Sequence, residues 1–178
     1  QDKCILGVSY NQAAYADEAP NDPYIGKQSH LGAIDYLNSY SFFFDAVSGL
    51  KKGVVIAIID TGLEISHSDI KDNLWVNERD NSNGYNFVSE IPNPSHEMPN
   101  DHGTHVAGLA AATVENRIGG IGIAGPRAKI MALNVFGKNF GTETVYIDRA
   151  IRYAADNGAD VINLSINGNG ESDTTAAA

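Results

Sequence analysis

The chain has 178 residues, 43% of them hydrophobic, and a formal net charge of −10. That suits one globular domain with a sizeable core, while the lack of any Lys/Arg cluster argues against a nucleic-acid surface. No apolar run approaches membrane-spanning length, and with Cys4 as the only cysteine an internal disulfide framework is excluded.

The acidic balance suits hard-cation binding, though a merely soluble surface explains it equally well. Gln1-Asp2-Lys3 is not followed by the apolar stretch and cleavage site of a secretory signal, which reads as a mature product whose export segment has gone.

Residues 1–50 form an irregular polar-aromatic lead, expected to be an amino-terminal extension packing on the core. Within it, Ala19-Pro20-Asn21-Asp22-Pro23 predicts a turn or extended segment. Residues 39–50, with Phe42-Phe43-Phe44, predict a short helix. Val54 to Ile59 is apolar throughout and rich in β-branched residues, the pattern of a strand buried on both faces of a parallel sheet. Residues 72–101, dense in Asn, Asp, Ser, Pro and Gly, predict a long surface connection with a short strand at 85–88. His102 to Val114 predicts a helix of small residues, and Gly119-Gly120-Ile121-Gly122 breaks the pattern. Lys129 to Phe136 predicts a second strand. Ile147, Ala150, Ile151 and Ala154 lie at helical spacing within 143–157, and Gly158 is the stop signal. Asp160 to Ile166 predicts a third buried strand. Strand, helix, strand, helix, strand is the pattern of an α/β layered fold. Residues 171–178 look like the start of another helix, so residues 51–178 are expected to be the amino-terminal part of a truncated domain.

Two motifs carry chemistry. Asp60-Thr61-Gly62 closes the first strand, where α/β sheets gather functional groups. Forty-two positions later comes His102-Gly103-Thr104-His105-Val106-Ala107-Gly108. A carboxylate beside an imidazole fixes its tautomer and stabilises its charged form, and a histidine titrating near neutrality can act as a general base. Taken singly, Asp60 reads as a turn residue. His105, three residues after His102, is expected to be a packed, hydrogen-bonded support; a metal-binding His pair ranks lower because no third ligand lies nearby.

Together with Asp160-Val-Ile-Asn-Leu-Ser-Ile, these motifs resemble the subtilisin-like serine proteases, or subtilases, from about Asp22 onward. The resemblance implies an α/β fold, a three-layer domain with a mainly parallel central sheet, incomplete at its carboxyl end. It implies a secreted serine endopeptidase acting through an acyl-enzyme, with Asp60 orienting and His102 as base. The nucleophile belongs in a downstream Gly-Thr-Ser-Met-Ala-Ala-Pro-like segment. Ser165 and Ser172 lack that context, and the oxyanion-hole asparagine is also expected downstream. The implied partners are a protein or peptide substrate and the remaining carboxyl-terminal part of the catalytic domain. Ser165, Ile166, Asn167 and Gly168 would line the specificity pocket, with Asn167 where relatives usually have Gly. Phe140-Gly141-Thr142 would pair with the other edge of an extended substrate.

The resemblance also implies a structural Ca2+, held by the side chains of Asp22, Asp69 and Asn116 and the carbonyls of Thr113, Ile118 and Gly120. Six to eight oxygens, many from a tight loop, suit that ion; an uncharged turn is the bland alternative. Kexin-like features are partial: Thr61 and His105-Val106 replace the acidic residue and the Arg-Cys of those enzymes, so dibasic preference does not follow. The sequon Asn163-Leu164-Ser165 is discounted because it lies in an expected buried strand.

Two rivals stand beside this reading. An aspartic protease also uses Asp-Thr-Gly after an apolar run, but needs a second such aspartate and leaves the His102 motif without a role. A degenerate subtilase acting as a non-catalytic binding module fits a chain without its nucleophile.

Overall fold

The computed structural model describes residues 20–40, 53–95, 101–139 and 141–167. Its centre is β1 (Val54–Asp60), buried from Val55 onward. The other strands are β2 (Gly84–Asn86), β3 (Ala128–Asn134) and β4 (Val161–Leu164). They form one sheet in the order β2-β3-β1-β4, and every pairing is parallel. The helices are α1 (Ser29–Ala33), α2 (His102–Ala111) and α3 (Thr144–Asp156), and residues 36–40 are also helical.

Strand alternation sends successive side chains of β1 to opposite faces. Val55, Ala57 and Ile59 join Met131 and Leu133 beneath Ala150 and Ala154 of α3. Ile56 and Ile58 join Ile130 and Ala132 beneath Ala107 and Ala111 of α2. The result is the expected three layers, helix on sheet on helix. Small residues on α2 let that helix lie close to the sheet. A third cluster, Leu31, Tyr36, Tyr40, Val114 and Ile121, seats residues 20–40 against the loop that follows α2.

Several elements end earlier than their sequence patterns suggest, each for a local reason. β2 stops at Asn86 because the Asn86 Oδ1 accepts the N–H groups of Val88 and Ser89, which turns the chain. β3 stops at Asn134, whose Oδ1 accepts the Phe136 N–H. α2 ends at Ala111, since Ala112 is extended (φ −55°, ψ 148°) and the Thr113 N–H donates to the Asp69 carbonyl. Residues 36–40 are helical, and residues 41–50 of the helix expected over 39–50 lie outside the described residues.

The expectation of a third buried strand needs correction. β4 pairs with β1, but Val161 is 50% and Leu164 40% exposed. Among the described residues nothing pairs with its outer edge, which leaves those side chains open to solvent. Ile162 and Ile166 still lean on the α3 cluster.

Candidate active site

Asp60 is the last residue of β1, in register with Asn134 at the end of β3. Its carboxylate is buried, 1% exposed, and its Oδ1 lies 2.7 Å from His102 Nδ1. A carboxylate only accepts, so the ring donates from Nδ1 and Nε2 is the nitrogen left to exchange a proton with a reactant. The His102 side chain is 47% exposed. A buried acid thus holds an imidazole that solvent can reach.

The pair is held from both sides. The Thr61 N–H donates to the same Asp60 Oδ1 at 2.7 Å. The Gly103 N–H donates to Thr61 Oγ1 at 3.0 Å, and the Glu64 N–H donates to Thr104 Oγ1 at 2.9 Å. The 60–64 loop and the first turn of α2 therefore exchange hydrogen bonds reciprocally. Gly103 is required by this approach: a Cβ there would sit 2.3 Å from the Gly62 carbonyl oxygen and 3.2 Å from Asp60 Cβ. Gly62 itself turns at φ 89°, a conformation glycine adopts without cost. Asp60 Oδ2 is buried without a hydrogen-bond partner among the described residues.

His105 differs from expectation. It is exposed, on the opposite side of α2 from the buried face made by Gly103, Thr104, Ala107 and Ala111. It borders a cleft of about 590 Å³ beside Glu64, His67, Asp101 and Leu109, and does not brace the Asp60–His102 pair. Among the described residues no group of three or more His, Cys, Asp or Glu could hold a metal, which leaves the His102/His105 metal pair without support.

The other site residues sort by region. The register of Ile59 with Leu164 brings Ser165 out of the sheet at the level of Asp60. The Ser165 hydroxyl accepts from Asn163 Nδ2 at 2.9 Å, Ile166 is half-buried against the α3 cluster and Asn167 is exposed. Asn163, expected to be buried, is only half-buried. The Gly141 carbonyl accepts the Gly137 N–H at 3.1 Å, and a Cβ on Gly141 would meet nothing. Gly168 and Phe140 lie outside the described residues.

A second polar corner forms where residues 20–28 meet the loop after α2. Asp22 and Asp69 are both buried. Asp22 Oδ2 accepts the Glu115 N–H at 2.9 Å, while its Oδ1 and the Thr113 Oγ1 are buried without partners among the described residues. Asn116 Nδ2 donates to Asp69 Oδ1 at 2.8 Å and the Gly120 N–H to Oδ2 at 3.3 Å. Burial pushes the Asp69 carboxyl above the usual carboxylate range, against the pull of those two hydrogen bonds, and the nearby Asp22 pushes the same way. Glu115 and Arg117 are held at φ 60° and 63°, each costing on the order of 1 kcal/mol. Such strain persists only where the surroundings demand that loop shape. Among the described residues no hydrogen bond reaches the carbonyls of Thr113, Ile118 or Gly120. The donor set is hard oxygen, and it fits Ca2+. Asn116 is the exception in detail: its amide nitrogen, not its oxygen, faces Asp69, and the oxygen accepts the Ile118 N–H at 2.8 Å.

Three features escaped sequence reasoning. The hydroxyls of Thr61 and Thr104 are the clasp, and the only hint was their position inside the two motifs. Gln28, which accepts from the Ile121 N–H and donates to its carbonyl, ties residues 20–40 to the same loop and had no local signal.

Known proteins resemble this chain over most of its length. Residues 51–178 match the Subtilase family. The chain is 36% identical over 162 residues to the thermophilic serine proteinase of Bacillus sp. (strain AK1), covering 89% of this chain and 37% of that protein. It is 35% identical over 149 residues to thermitase of Thermoactinomyces vulgaris, covering 84% of this chain and 48% of that one. A solved structure of proteases from Pseudoalteromonas arctica superposes with a TM-score of 0.71 at 28% identity, covering 90% of this chain and 54% of the other. The chain thus spans less than half the length of the two curated relatives, and it belongs to the subtilase family.

Proposed function

We propose that this chain supplies the acid–base half of a serine endopeptidase that hydrolyses peptide bonds through an acyl-enzyme. The observation that carries the reading is the 2.7 Å contact between buried Asp60 and half-exposed His102. In this role His102 Nε2 takes the proton of an attacking serine and returns it to the leaving amine. Asp60 holds the ring in the Nδ1–H tautomer and stabilises the imidazolium as it forms. The serine comes from the carboxyl-terminal part of the catalytic domain, which this chain must meet to work.

Substrate in this reading is an extended peptide. Gly141 borders one side of it, and Ser165, Ile166 and Asn167 border the other beyond the carboxyl end of β4. Ca2+ is the structural ion, with Asp22, Asp69, Asn116, Thr113, Ile118 and Gly120 as its ligands; it would neutralise two buried carboxylates and lock residues 20–28 onto the sheet. The compartment is extracytoplasmic, on the family resemblance.

The test is labelling of the full-length protein with a serine-directed fluorophosphonate, in parent and His102→Ala forms. Labelling of the parent that His102→Ala abolishes supports the reading. A parent that stays unlabelled yet binds peptide favours the non-catalytic module, and inhibition by pepstatin favours the aspartic rival.

A further inference from the structure

α2 begins with an anomaly. A helix leaves its first N–H groups without internal partners, and the residue at the N-cap normally supplies a side-chain oxygen. Asp101 occupies that position and makes no side-chain capping bond. The oxygen comes instead from Thr61, forty-two positions earlier than Gly103, whose N–H it accepts at 3.0 Å in a buried setting.

We propose that Thr61 is a positioning residue for proton transfer at His102, a remote N-cap that ties the imidazole-bearing helix to the carboxylate-bearing strand end. This rests on the Asp60–His102 reading above and deepens it. Thr61 touches both halves of the pair at once. Its backbone N–H holds Asp60 Oδ1, the oxygen that also takes the His102 ring, and its hydroxyl holds the residue following His102. Thr104 returns the bond by accepting the Glu64 N–H. The distance between acid and base is therefore set by two hydroxyls rather than by the flexible ends of Asp60 and His102 alone. Thr61 is 2% exposed, and its β-branch restricts the rotamer that aims the hydroxyl. An alanine leaves the Gly103 N–H buried and unpaired, which helix α2 can relieve only by shifting or fraying its first turn. His102 sits in that turn, and small misplacements of a proton-transfer group are costly in rate.

The experiment compares Thr61→Ala and Thr61→Ser with the parent full-length protein. It reads kcat and KM on a fluorogenic peptide, the thermal midpoint and amide exchange at Gly103. Thr61→Ala is expected to lower kcat about tenfold with KM within about twofold, and to speed exchange at Gly103. Thr61→Ser is expected to restore kcat and exchange to within about twofold of the parent. A merely structural residue would lower the thermal midpoint without this kcat-selective loss. Should Thr61→Ala fold poorly, Thr104→Val tests the returning bond, with a smaller kcat loss and faster exchange at Glu64 expected. Parent-like kcat in Thr61→Ala, or a Thr61→Ser variant as impaired as alanine, overturns the proposal. An inactive parent, or an Asp60→Asn variant as active as the parent, overturns the underlying reading instead. Exchange at Gly103 then decides the clasp alone, and unchanged protection in Thr61→Ala refutes it.

Discussion

The Asp60–His102 corner and the Asp22–Asp69 corner are both buried carboxylate sites on the same sheet-and-helix frame, yet they are finished differently. In the first, the chain supplies the partners itself: an imidazole, a backbone N–H and two threonine hydroxyls lock the geometry. In the second, two buried acids face each other's field, with an Asp22 oxygen and a Thr113 hydroxyl that find no partner among the described residues and a strained loop between them. The proton transfer proposed for the first corner calls for geometry preorganised by protein groups. The second corner, proposed only to hold segments together, can leave its charge balance to a bound cation.

The contrast can be broken at either corner. The largest effect is expected from His102→Ala in the full-length protein, a loss of about 10⁴-fold or more in kcat with peptide binding retained. Steady-state kinetics with KM read separately checks it. Chelation should leave the chemistry of the first corner intact while lowering the thermal midpoint. At an ion concentration near a hundred times Kd the loss is ~2.7 kcal/mol, on the order of 5–10 °C for a chain of this size. An unchanged midpoint in calorimetry counts against the cation.

Gly103→Ala probes the first corner sterically. Its Cβ would press on the Gly62 carbonyl, and forcing the loop and helix apart should cost about 1–3 kcal/mol in denaturant unfolding. The smallest effect sharpens the second corner. Asn116→Ala removes one hydrogen bond to Asp69 and should cost about 1 kcal/mol with the cation absent. A larger penalty with calcium present would mean that the Asn116 oxygen turns inward to the ion.

Much of this was legible in the chain. The apolar run at Val54 to Ile59 reads as a doubly buried strand because a central parallel strand has no polar face to reveal. The helical spacing of Ala150 and Ala154, with Gly158 at φ 78° behind them, fixes α3 almost to the residue. Burial of β4 was not legible. Its residues are mostly apolar, and the exposure of Val161 and Leu164 depends on what covers the outer edge, where no described residue pairs. His105 misled for a related reason: three residues from His102 places it near the same helix side, but the face that meets the sheet is set by Ala107 and Ala111. The motifs located Asp60 and His102, whereas the Thr61 and Thr104 clasp needed coordinates, since each bond spans at least forty positions.

The central claim, that Asp60 serves catalysis by holding His102, is tested most directly by kcat of the full-length Asp60→Asn variant. The amide keeps the shape but can turn an N–H toward the ring and favour the wrong tautomer. A fall of about 10⁴-fold in kcat with a parent-like thermal midpoint and KM is expected. Turnover within about tenfold of the parent would contradict it.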